Sequence, residues 1–106
     1  MQKKLTLRLS WQVSEFLLPD LRALLPAESI QFFANELDEQ WHHTLLCVPS
    51  DNNCSLMVSA ILVWRQLGRI HTLHYSSATV TTDASHLSQD RLFGLLNTPG
   101  AVVNIA

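Results

Sequence analysis

Leu5, Leu7, Leu9, Trp11 and Val13 stand at alternate positions, and Lys4, Thr6, Arg8, Ser10 and Gln12 fill the gaps between them. Successive side chains of a strand point to opposite sides, so a period of two marks a strand with one buried and one wet face. Such a strand must belong to a sheet, and something apolar must cover one side of that sheet. The pattern predicts a strand over 5–13 with Trp11 as a large core anchor.

The cover is predicted from helical spacing further along the chain. Leu17, Leu18, Leu21, Leu24 and Leu25 recur at helical intervals and end at Pro26. Ser14 can cap an early start, but Pro19 suits the first turn better, with Asp20 beside it at the positive end of the helix dipole. A second helix is expected from Cys54 to Leu67, after the capping residues Ser50, Asp51 and Asn53, with Gly68 just past its end. Its apolar stripe is Leu56, Met57, Ala60, Ile61, Trp64 and Leu67. A short third helix is expected over 89–96.

Further strands are expected between these helices. Residues 29–34 and 41–48 read as a hairpin, the second strand being apolar on both faces near its end and therefore central. Residues 69–75 and 101–105 read as two more. The hydroxyl-rich run 76–82 either prolongs the strand before it or forms an exposed edge, and 83–88 reads as a loop or helix cap.

The expected order is β-α-β-β-α-β-α-β in one domain spanning 1–106. The fold class is α+β, a two-layer α/β sandwich with a mixed sheet. The first six elements follow the order of a ferredoxin-like split βαβ sandwich, a resemblance of order that no family motif accompanies. The alternative is a three-layer α/β domain with helices on both faces.

Composition narrows the function classes. Net charge is −2, with seven Lys and Arg against nine Asp and Glu, which gives phosphate backbones and anionic lipid nothing to seek. No nucleic-acid or membrane partner is expected, and the one basic cluster, Lys3, Lys4 and Arg8, reads as a solvated strand start. Charged residues are only 15% of the chain, against roughly 25% in an ordinary soluble domain. So few charges leave surface for another protein chain to cover. Two cysteines do not make a disulfide scaffold, and the Lys-led start is interrupted by Arg8, Ser10 and Gln12, unlike a signal peptide. A cytoplasmic location is expected.

Chemistry-bearing residues are scattered. His42 and His43 are neighbours on a strand and point apart, as do His71 and His74. His43 shares a strand face with Cys47 and meets His71 or His74 only if their strands pair. No metal is expected, for want of any ligand-spacing signature. Cys54, at the expected helix start, is the better candidate nucleophile because the dipole lowers a thiol pKa there, but no nucleophile motif surrounds it. Gly68, Gly94 and Gly100 form no phosphate loop, so no cofactor is expected.

The leading expectation is a non-enzymatic binding or regulatory module that acts as a homodimer through protein–protein contacts. Its interface would include Trp41, which opens a strand beside two histidines, and Thr79 and Thr81, on an uncharged strand without the Lys or Pro that blunts an edge. The alternative is a small enzyme or ligand-binding protein whose pocket uses His43, His71, His74 and Asp83. RNA binding on an open ferredoxin-like sheet is a weaker third reading, opposed by the acidic total.

Overall fold

The structure is a computed structural model that describes residues 4–34, 40–41, 43–77 and 80–106. Its elements are β1 (Leu5–Leu9), α1 (Trp11–Leu24), a 3-10 turn (Ala27–Ser29), β2 (Ile30–Ala34), β3 (His43–Cys47), α2 (Asp51–Gln66), β4 (Leu73–Ser76), β5 (Thr81–Asp83), α3 (Gln89–Leu96) and β6 (Val102–Ile105). The strands form one mixed sheet in the order β2-β3-β1-β6-β4-β5. Only β1 and β6 run parallel among the pairs described; the others are antiparallel. The α+β sandwich with a mixed sheet is the architecture of the chain.

The alternation at the start drives β1 as far as Leu9 and no further. Leu5, Leu7 and Leu9 are buried, while Thr6 and Arg8 face the other side. Trp11 is a correction: it is the first residue of α1, not part of a strand, and is 68% exposed. The reason is a change of period at Ser10. Val13, Leu17 and Leu21 recur every four residues and make a buried helical stripe. Val13 satisfies both periods, and Trp11 continues the alternation while falling off the helical stripe, which hides the boundary. Ser10 is extended at the N-cap, and its carbonyl accepts from both the N–H and the hydroxyl of Ser14.

Pro19 is also a correction, since it lies inside α1 rather than in its first turn. A proline there removes the N–H that would reach the carbonyl of Glu15. Both residues are exposed, so the missing bond falls on the solvent side of the helix.

Helix α2 starts at Asp51, three residues earlier than expected, because Ser50 is its cap and accepts from Asn53 N–H at 3.1 Å. Gly68 ends it with φ at 69°. Gly68 N–H bonds Arg65 O, and Arg69 N–H bonds Trp64 O, the paired bonds of a Schellman turn. Helix α3 has the expected bounds, with Ser88 accepting from Arg91 N–H.

The β2–β3 hairpin forms as expected, and β3 is an interior strand. The strand expected over 69–75 begins at Leu73; just before it, Thr72 and Ala106 exchange N–H···O bonds, and His71 N–H also reaches Ala106 O. The 76–82 run is split: Ser76 ends β4, and Thr81 opens a separate edge strand, β5, which takes in Asp83. The expected order therefore lacked one strand.

The registers place Phe32, Leu45, Leu7, Val103 and Tyr75 in one row on one side of the sheet. Buried side chains of α1, α2 and α3 join that side in a single core. Trp64 is fully buried in it, with its indole N–H donating to the Asp20 carboxylate at 2.9 Å. The last strand, β6, fills the middle of the sheet, so the core is complete only once the most distant parts of the chain have met.

Candidate functional site

The other side of the sheet follows from the same registers. One row runs Phe33, Thr44, Arg8, Asn104, His74, Asp83 across all six strands. The next runs Gln31, Leu46, Thr6, Val102, Ser76, Thr81. No residue in either row is buried, and no helix of the described residues lies over them. Phe33 is 47% exposed, and the half-buried Leu46 and Val102 lie in the adjacent row. Only Arg8 and Asp83 bring formal charge to these rows when the imidazole of His74 is neutral. The surface is therefore mainly hydroxyl, amide and apolar.

At one end of the first row, His74 and Asp83 are cross-strand neighbours. The Asp83 carboxyl is held below the ordinary carboxylate range, chiefly by hydrogen bonds from the Ser85 hydroxyl and backbone N–H, and further by His74 and His86. The Ser85 N–H bond is 2.9 Å long.

Of the residues expected to share a pocket, His74 and Asp83 thus come together. His43 does not join them. It lies on the helix side of β3, in register with Leu9 and Ala34, and two strands separate β3 from β4. His71 precedes β4 and lines a groove of about 480 Å³ with Arg65, Thr72, Ser85 and His86. The grouping of Arg65 and His86 with His71 was not legible in the sequence, where residues 65, 71 and 86 share no spacing. Arg8 and Asn104 were missed for a related reason: their even-numbered, outward position is legible, but the pairing of β1 with β6 is not.

The expected interface residues are spread out. Thr81 is exposed on β5, Trp41 is half-buried just before β3, and Thr79 lies outside the described residues. His42 does also. The longer edge of the sheet is β2, whose five residues carry no charge.

The thiols take no part in an activated site. Cys54 sits in the second half of the first turn of α2, buried, and burial raises its pKa, with the Asp51 charge adding to the effect. That is the reverse of the lowering expected at a helix start, because burial and the Asp51 carboxylate both disfavour the thiolate. Burial likewise pushes Cys47 up to about 11, and the neighbouring Cys54 adds to it. Both cysteines are free. Among the described residues, no three His, Cys, Asp or Glu side chains converge as a metal site, and no helix is long and apolar enough to cross a membrane.

No protein-family model matches the chain, and no curated protein or solved structure matches it either.

Proposed function

We infer that this chain is a non-enzymatic binding module that works in the cytoplasm as a homodimer, meeting its second copy through the uncovered side of the sheet. The observation that carries the reading is the contrast in cover: the described helices pack on one side, and the other presents Phe33, Leu46 and Val102 among threonines and amides. An apolar and weakly charged surface of this kind gains by excluding water. A two-fold axis parallel to the sheet, lying between the two open sides, would bring them face to face, and two-fold symmetry is the commonest of soluble oligomers. The scarcity of charge in the whole chain agrees with a surface meant to be covered. Free, buried thiols suit a reducing compartment.

Light scattering over a range of concentrations tests the reading. The native chain is expected to have twice the monomer mass at tens of micromolar. Phe33→Lys, which places a charge on the open side at an exposed position, is expected to give the monomer. Thr82→Lys, on the edge strand β5 but in register with Tyr75 on the helix side, is expected to leave the dimer intact. A monomeric native chain refutes self-association. A dimer lost only with Thr82→Lys moves the contact from the sheet face to its edge.

A further inference from the structure

The groove at the end of α2 is separate from the open side of the sheet, and its lining has a different chemistry. Arg65, His71 and His86 face one space together with the hydroxyl residues Thr72 and Ser85, and no Asp or Glu lines it. Its volume of about 480 Å³ falls within the range of small-ligand sites, roughly 300–1,000 Å³.

Each donor is held there by a local feature. The Schellman turn at Gly68 reverses the chain, and the buried Ile70 anchors it, so that His71 and Thr72 follow on the groove wall. Their backbone N–H groups are fixed on Ala106 O at 2.7 and 2.9 Å. Beside them, Ser85 Oγ accepts from Leu73 N–H at 3.0 Å. Arg65 reaches across and donates to the carbonyls of Ser85 and Leu87 at 3.0 and 2.9 Å. Both of those bonds come from Nη1, while an arginine also carries N–H groups on Nε and Nη2. The bonds to the loop account for the position of Arg65 but not for two exposed histidines beside it. The carboxylate whose charge reaches His86 is Asp83, and it is itself occupied by Ser85.

We propose that this groove binds a small ligand bearing a doubly charged oxyanion, of the class of a phosphate monoester. A guanidinium fork matches the oxygens of such a group in pairs. Two imidazoles supply further N–H donors, and more positive charge when protonated. Three cationic or protonatable groups around one space balance a dianion better than a single carboxylate.

The test is a titration of the isotope-labelled full chain with inorganic phosphate, followed by amide and arginine side-chain NMR at constant ionic strength held with sodium chloride. Saturable shifts are expected at Arg65 Nε and at the amides of Thr72, Ser85 and His86. Arg65 also holds the loop, so its removal can disturb folding. The decisive variant is therefore His71→Gln with His86→Gln, both at exposed positions. That double variant is expected to keep the native spectrum elsewhere and to bind phosphate at least about tenfold more weakly. Shifts that fail to saturate, that scatter over the surface, or that persist with the same affinity in the double variant overturn the proposal.

Discussion

The two sides of the sheet are made by the same strands and differ in almost everything else. On the helix side, Leu5, Leu7, Leu9, Leu45, Val103 and Ile105 are closed off from water, and the three helices of the described chain close over them. On the other side, the intervening residues Thr6, Arg8, Thr44, Val102 and Asn104 remain in reach of solvent. Because a strand turns its side chains alternately, a shift of one position separates a residue that holds the fold from one that is free to meet a partner. Stability is concentrated on one parity, and the surface available for binding lies on the other.

Tryptophans give the widest contrast between covered and uncovered positions. Trp64 is buried and hydrogen-bonded, whereas Trp11 is mostly exposed at the start of α1. Trp64→Ala is expected to cost about 3–5 kcal/mol in urea unfolding, as large aromatic deletions in cores do. Trp11→Ala is expected to change stability by no more than about 0.5 kcal/mol. Equal losses would mean that the N-terminal end of α1 is covered.

Neighbours in one strand sharpen the comparison further. Leu7→Ala opens a cavity beside Leu45 and Val103 and is expected to cost about 2–5 kcal/mol. Thr6→Ala, one residue away on the open side, is expected to cost less than about 1 kcal/mol. A Thr6 variant as damaging as the Leu7 variant would show that the open side carries packing essential to the monomer.

A smaller effect is expected at the end of the open row. The Asp83 carboxyl is held below its ordinary value by Ser85 first, then by His74 and His86. A carboxyl depressed in the folded state stabilises that state above the unfolded value, near 3.8, and loses the contribution as pH falls through the folded value. Asp83→Asn is therefore expected to lower stability slightly at neutral pH and to match the native chain at strongly acidic pH. A difference that stays constant across that range would assign the effect to packing.

Local periodicity made most of the fold legible and left the boundaries between periods obscure. Helix α3, the β2–β3 hairpin, the Ser50 cap and the Gly68 stop each rest on neighbouring residues, and each appears in the structure. The handover from strand to helix at Ser10 was hidden because Val13 suits both patterns and Trp11 prolongs the alternation. Strand β5 was hidden in a hydroxyl-rich run with no apolar face to mark it. The candidate surfaces were legible only in part, for a different reason. Parity tells that Arg8 and His74 point outward, but their common row depends on β6 entering between β1 and β4, a pairing of distant segments. The groove likewise joins residues 65, 71 and 86 through turns rather than through a spacing.

The open side of the sheet as a self-contact is tested most directly by isotope-filtered NOE spectroscopy on an equal mixture of labelled and unlabelled chains, in which only contacts between copies appear. Contacts involving the side chains of Phe33, Leu46 and Val102 are the expected result. Their absence, or contacts confined to Trp11 and Phe16 on the exposed part of α1, would contradict it.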